Sequence, residues 1–373
     1  MTRFFLTLFT LFVASLNTAC QKEVSRPLIG VLIPLSGPAA PDGALAIQGY
    51  DFFLSELGEH APCDFVLLDS KTDRAVSIQN FNELAGMGAS IVVGPYYSEP
   101  AMAAGTAAAS QRVPMLSPVA THMGVTRGNS FAFRACFVNE DQAKAMARFG
   151  VQELGRKRVT ILCDLAESYS FDLAEIFERE VTSRGGILID RHYFRTGQTD
   201  FARLIQEVKE GKPELVFVPA YADEVVKLLS QAYPAWGDIV VLGTDGWDTP
   251  DLTTSGKLDS SCKAYFSNHF SIGEEALSLD FVERFHQKYP SQDVGQLTAL
   301  TYDAMRLAVE ALLAAEDPSN PVSVRDALAG LRDIRGVTGV FDMNESGDPA
   351  KSLVIQRLDC SGELPRLVFE RRE

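Results

Sequence analysis

The sequence predicts an α/β protein built from two parallel sheets, each flanked by helices. Three observations carry that reading. From Leu28 onward, short β-rich runs alternate with amphipathic stretches of helical length. The alternation breaks near 137–139 and then resumes. A chain of 373 residues, 46% hydrophobic and 22% charged, has the composition of an ordinary globular protein and the length of about two domains. Each strand, helix, strand succession reads as a right-handed crossover, and a series of them gives a parallel sheet with helices on both faces.

Taken in order, the first series places strands at 28–33, 65–69, 91–94 and 114–116, each a short apolar run. Helices at 44–57, 75–87 and 101–111 alternate with them. In the first of these helices Tyr50, Phe52 and Phe53 have the spacing of a core-facing stripe. At the break, Asn139 is expected to cap a helix that opens on Glu140 and Asp141 and runs to 154. The second series has strands at 159–163, 187–193, 215–218 and 239–243, and helices at 171–184, 201–210 and 223–232. Residues 264–270 are strand-like. Beyond Phe270 the pattern turns to longer helices at 279–289, 297–315 and 322–331. A strand at 337–341, turn chemistry over 344–348 and a hairpin of 352–358 with 364–369 around Ser361 and Gly362 complete the chain.

Residues 1–19 read as a signal peptide: Arg3, an apolar run from Phe4 to Val13, then small residues before Cys20. A cysteine at the new N-terminus is what bacterial lipid attachment requires, so Cys20 is the candidate lipidation site. The alternatives are an ordinary cleaved signal peptide and an uncleaved anchor, the latter disfavoured because a membrane span needs about 20 apolar residues. Removing these residues takes away Arg3 and no acid, so the net charge of −15 becomes −16. Such a surface argues against a nucleic-acid partner. Cys63, Cys136, Cys163, Cys262 and Cys360 remain; Cys136 and Cys163 sit in apolar runs and read as buried thiols. None has the spacing of a metal site, and no His-Glu-x-x-His, Gly-x-Ser-x-Gly, Cys-x-x-Cys or Walker-type loop occurs. Neither an enzyme nor a resident cofactor or metal is therefore expected.

Five segments in matching order along most of the chain carry a resemblance: IGVLIPLSGP at 29–38, IVVGPYYS at 91–98, MLSPVAT at 115–121, VVLGTD at 240–245 and TGVFD at 338–342. Together they resemble the leucine/isoleucine/valine-binding proteins of ABC transporters, in the type I periplasmic binding fold. The resemblance implies two lobes joined by a three-stranded hinge: 24–138 plus 271–344, and 139–270 plus 345–373. It puts a carboxylate-binding serine on Ser98, a second carboxylate contact on Thr121, and between them, on Val119, a carbonyl that accepts from the ligand's ammonium. An acid that pairs with that ammonium falls on Asp245, and tyrosines that close over the ligand fall on Tyr169 and Tyr221. Tyr96 and Tyr97 before Ser98, and Trp247 after Asp245, stand where smaller residues are usual and are expected to add ring surface to the pocket.

Read as residues alone, Ser98 is equally a helix cap, Asp245 with Gly246 a turn, and each tyrosine a half-buried loop aromatic. The implied function is a lipid-anchored, periplasmic or extracytoplasmic receptor. It would capture a branched-chain, other aliphatic or apolar amino acid in the interlobe cleft and deliver it to an ABC permease by hinge closure. A sensor of amides, urea or related small solutes that governs a regulatory partner is the alternative. Cys262 and Cys360, near strand ends in the second lobe, form a candidate disulfide; the alternative is two unrelated thiols.

Overall fold

The computed structural model describes residues 26–254, 258, 260–272 and 276–373. The expected lipidation site Cys20 lies outside them. The first half runs β1 (Leu28–Ile33), α1 (Ala40–Leu57), β2 (Asp64–Asp69), α2 (Arg74–Gly86), β3 (Ala89–Val93), α3 (Ser98–Gln111), β4 (Met115–Ser117) and β5 (Ala132–Arg134). All five strands are parallel, in the order β2-β1-β3-β4-β5. β5 has no counterpart in the sequence reading, because three residues are too few to show a period.

The chain continues through α4 (Asn139–Arg148), β6 (Arg158–Asp164), α5 (Ser168–Ser183), β7 (Ile187–Phe194), α6 (Ala202–Gly211), β8 (Leu215–Phe217), α7 (Ala222–Trp236), β9 (Val240–Gly243), α8 (Asp251–Thr254) and β10 (Ala264–Asn268). It then forms α9 (Ala276–Lys288), α10 (Gln296–Ala314), α11 (Pro321–Gly330), β11 (Ile334–Gly336), β12 (Gly339–Phe341), β13 (Val354–Asp359) and β14 (Arg366–Arg372). The second sheet has the order β14-β13-β10-β9-β8-β6-β7, parallel from β7 to β10 and antiparallel at β13 and β14.

Both sheets are sandwiched between apolar layers. One face of the first carries Ile29, Val31 and Ile33 against α1, α9, α10 and α11; the other packs Leu32 and Val92 on α2 and α3. Tyr50, Phe52 and Phe53 are buried in the first of these layers, as their spacing predicts. In the second sheet α6 and α7 cover one face, α4 and α5 the other. Cys136 and Cys163 are buried thiols.

Three elements differ from the sequence expectation. Val138, not Asn139, precedes the first turn of α4, and the Asn139 amide instead donates to Asp172 Oδ2 at 2.8 Å. The expected helix to 154 becomes a wider π turn over Phe149–Glu153. The single strand at 337–341 is a two-stranded antiparallel hairpin, β11 with β12, turned at Val337 and Thr338, whose N–H groups and hydroxyl are all taken up by the Asp303 carboxylate. Because β5, β10 and β12 each end in one layer and the chain resumes in the other, the backbone passes three times between the sheets. Buried Lys351 reaches across these passages, its Nζ donating to the Ala135 carbonyl at 3.1 Å.

Candidate ligand-binding site

In an open parallel sheet ligands bind beyond the carboxyl ends of the strands, where neighbouring connections leave in opposite directions. In the first sheet that point lies between β1 and β3, and in the second between β6 and β8. The loops there face each other. Ser98, Val119 and Thr121 from one side, and Tyr169, Tyr221 and Asp245 from the other, line one small inner chamber of about 40 Å³. It opens past Asp42, Tyr97, Tyr221 and Thr249, which line both spaces, into an outer cleft of about 520 Å³.

Ser98 opens α3 as its first residue rather than capping it, since Tyr97 precedes the helix with an extended backbone. Its hydroxyl accepts weakly from the His122 N–H at 3.4 Å. Pro100 has no N–H, so the unsatisfied amides at this helix start are those of Ser98 and Glu99, a partial positive charge beside the chamber. The Thr121 hydroxyl is buried and has no hydrogen-bond partner among the described residues. An anionic group placed here meets donors from both.

The loop of Val119 and Thr121 is pinned from beneath by Arg134, which is fully buried in β5. Its Nη1 donates to the carbonyls of Ala120 at 2.8 Å and His122 at 3.1 Å, while Nε pairs with Asp348 Oδ1 at 2.7 Å. Nη2 donates to Thr126 Oγ1 at 2.8 Å. The run FAFRACFV around it held the signal: an arginine amid apolar residues is buried only with partners.

Asp245 stands at the end of β9, 6% exposed. Oδ1 accepts from Tyr169 Oη at 2.6 Å and from Gln142 Nε2 at 2.8 Å, and Oδ2 lies 3.2 Å from His269 Nε2. Burial holds the His269 imidazole below its usual pKa against the upward pull of Asp245, so Nε2 serves as a neutral donor. The carboxylate expected to meet a ligand's ammonium thus already has three donors from the protein. The His269 ring is stacked on Phe137, centroids 3.6 Å apart, which joins two of the three interlobe passages. Gln296 at the start of α10 donates from Nε2 to the Asp245 carbonyl at 2.5 Å.

Tyr169 and Tyr221 are stacked with centroids 5.0 Å apart, and Tyr97 from the opposite side meets Tyr221 edge-on at 5.2 Å. Trp247 is a correction. It does not wall the chamber; the indole is fully buried in the core beneath the loop, with Nε1 donating to the Val218 carbonyl at 3.0 Å. Gly243 makes room for it, since a Cβ there would stand 2.1 Å from the indole Cε2.

A family model described as periplasmic binding protein matches residues 28–363. The chain belongs to the periplasmic binding protein family. Its fold is the type I form, as close structural matches show. The leucine binding protein LivK from Thermotoga maritima superposes with a TM-score of 0.82 at 25% identity, over 93% of this chain and 98% of that one. The Leu/Ile/Val-binding protein BraC3 of Rhizobium johnstonii is 25% identical over 329 residues, 86% of this chain and 88% of the relative. A solute binding protein from Rhodopseudomonas palustris BisB5, in complex with 3,4-dihydroxy benzoic acid, shares the fold at 19% identity with a TM-score of 0.80, covering 93% and 97%. Family membership implies an extracytoplasmic location, and no described helix is long and apolar enough to cross a membrane.

Gln296 and Asp42, which line the chamber, and Gln142 and His269, which are buried behind Asp245, are not singled out by the sequence. Asp42 was findable, since the loop after β1 borders the point where the strand order reverses. Gln142 and His269 carry no local signal, because they act through Asp245, more than twenty residues away from either.

Proposed function

We propose that this periplasmic binding protein captures an amino acid between its lobes, 24–138 plus 271–344 and 139–270 plus 345–373, and delivers it to the permease of an ABC transporter. The supporting observation is the composition of the inner chamber. An anion-accepting wall of Ser98, Thr121 and the α3 amides faces Asp245, Tyr169 and Tyr221 on the other lobe, with the Val119 carbonyl beside them. A zwitterion satisfies both walls at once, and the buried carboxylate of Asp245 gains a cation without the cost of an uncompensated charge. Attachment through Cys20 would hold the receptor beside its permease. The apolar side chain expected from the sequence finds less support, because Asp42, Asp248 and Gln296 share the chamber with Tyr96 and Leu297.

An aromatic carboxylic acid is the second reading. It is favoured by the three tyrosine rings and by the full hydrogen-bond complement of Asp245, which needs no ammonium, and the dihydroxybenzoate-bound neighbour belongs to this class. A thermal-shift and calorimetric screen of the purified protein against the twenty amino acids, benzoate and hydroxybenzoates separates the two. Stabilisation by about 4 kcal/mol at a thousand times the dissociation constant is readily seen. Amino-acid binding in a one-to-one complex supports the first reading; binding of benzoates alone replaces it by the second.

A further inference from the structure

The outer cleft is far from neutral. Asp42, Glu167, Asp223 and Asp251 line it with no cation paired to any of them among the described residues. The one arginine of its lining, Arg74, is 3.3 Å from Glu99 and already committed. Low-dielectric walls of one sign focus the field and draw in a solute of the opposite sign.

Asp42 is the pivotal member, because it borders both the inner chamber and the outer cleft. It accepts a hydrogen bond from the Tyr97 hydroxyl and otherwise stands uncompensated. Burial raises its carboxyl to a pKa of about 6, and burial likewise raises Glu167 to about 7, which is how carboxylates behave when a missing cation leaves them unpaired.

Gln296 supplies an independent indication of what comes there. The residue is 5% exposed and lines the inner chamber. Its amide orientation is set by Nε2 donating to the Asp245 carbonyl, so Oε1 remains, buried and without a partner among the described residues. A buried acceptor left unpaired costs about 1–3 kcal/mol, and a donor on the ligand removes that cost.

Space points the same way. A volume of about 40 Å³ is filled by a few water-sized groups, whereas the adjoining 520 Å³ has ample room. A ligand whose α-carboxylate sits at Ser98 and Thr121 therefore sends its side chain past Asp42 and Gln296 into the acidic cleft.

We infer that the ligand is an amino acid with a cationic side chain, received by Asp42 and Gln296 and drawn in by the acidic outer cleft. This rests on the amino-acid reading above and replaces the aliphatic side chain expected from the sequence. An aliphatic tip would leave Asp42 desolvated and unpaired; a cationic tip pairs with it, while a neutral polar tip gains only the Gln296 acceptor.

Calorimetric titration of the purified protein with L-lysine, L-norleucine, L-arginine, L-citrulline and L-leucine tests it, since each cation has a neutral counterpart of similar length. Lysine is expected to bind at least tenfold tighter than norleucine, and arginine at least tenfold tighter than citrulline. In Asp42→Asn, a near-isosteric change, the ratio of the lysine and norleucine dissociation constants should shrink to within threefold. Wild-type protein that binds norleucine or leucine as tightly as lysine overturns the inference but leaves the amino-acid reading standing. Undiminished lysine preference in Asp42→Asn overturns the role given to Asp42. If none of the five binds, this inference fails, and the amino-acid reading fails with it when the screen of all twenty amino acids is negative as well.

Discussion

Replacing Arg134 by Met probes the support beneath the binding loop. The guanidinium is fully buried and makes four hydrogen bonds, to Asp348 Oδ1, Thr126 Oγ1 and the carbonyls of Ala120 and His122. Methionine fills the space of the aliphatic stem but leaves the Asp348 carboxylate with only the Thr126 hydroxyl, 2.8 Å away. Removing one member of a buried pair costs about 3–5 kcal/mol. Two loop carbonyls lose their donor as well, which moves the expectation towards the upper end of that range. Urea denaturation of the ligand-free protein reads the stability, and calorimetry with the screened ligand reads the site. We expect a loss of about 3–5 kcal/mol in stability and at least tenfold in affinity, because Val119 and Thr121 ride on the released loop. Adding Asp348→Leu removes the stranded charge, so the double variant should be more stable than the sum of the two single effects by over 1 kcal/mol. A single-variant loss under 1 kcal/mol, or strict additivity in the double variant, would refute the account of Arg134 as the buried strut of this loop.

Asp245→Ala should weaken amino-acid binding by about 2–5 kcal/mol, the range for breaking a desolvated charge pair, and calorimetry showing undiminished affinity would remove Asp245 from the site. Asp42 provides a pH signature. Its folded pKa of about 6 exceeds the ordinary 3.8, so the folded state holds a proton that the unfolded chain releases, and its contribution to ligand-free stability is lost as pH rises through about 6. Lysine affinity should move the other way and fall as pH drops below about 6, unlike norleucine affinity; Asp223, Asp248 and Asp251 also face Asp42 and push its carboxyl further up. Cys262 and Cys360 are thiols rather than a disulfide in the structure, two residues beyond the Ala264↔Leu358 pair and directly opposite each other, in hydrogen-bonding contact. Non-reducing peptide mapping of protein from an oxidising compartment should recover them joined, a link worth about 4–5 kcal/mol in the chain-entropy model; recovery as two alkylated thiols rejects it. Cys20→Ser should move the protein from the membrane fraction to the soluble periplasm, and wild-type protein that is already soluble with another N-terminus favours simple cleavage.

Most of the fold was legible because its strands are continuous apolar runs and its helices are long enough to show a period. β1 and the crossovers around β6 to β9 are of this kind. β5 and the β11–β12 hairpin were not, since runs of three residues carry no periodicity and the Asp303 carboxylate that organises the hairpin turn is 34 residues from Val337. At the site, Ser98, Val119, Thr121, Tyr169, Tyr221 and Asp245 were all nominated from the sequence, and the structure brings them to one chamber. Trp247 misled because a tryptophan in a cleft loop suggests a ligand wall, whereas the bare Gly243 backbone directly beneath it offers the indole a place in the core. Asn139 misled in the same manner: its amide has a better partner in Asp172 than in its own helix.

The threefold passage of the backbone between the sheets also has a consequence for assembly. The five strands of the first sheet are complete by Arg134, yet α9, α10 and α11, which cover one face of it, begin only at Ala276. The second sheet waits longer still, because β10 finds its neighbour β13 almost a hundred residues downstream. Pairings so distant in sequence form slowly, since loop closure must precede any gain from contact. Neither half can therefore complete its core while the later part of the chain is still being made. A polypeptide with this wiring reaches its finished packing only when its last strands arrive, which makes the two halves complete their folding as partners rather than in succession.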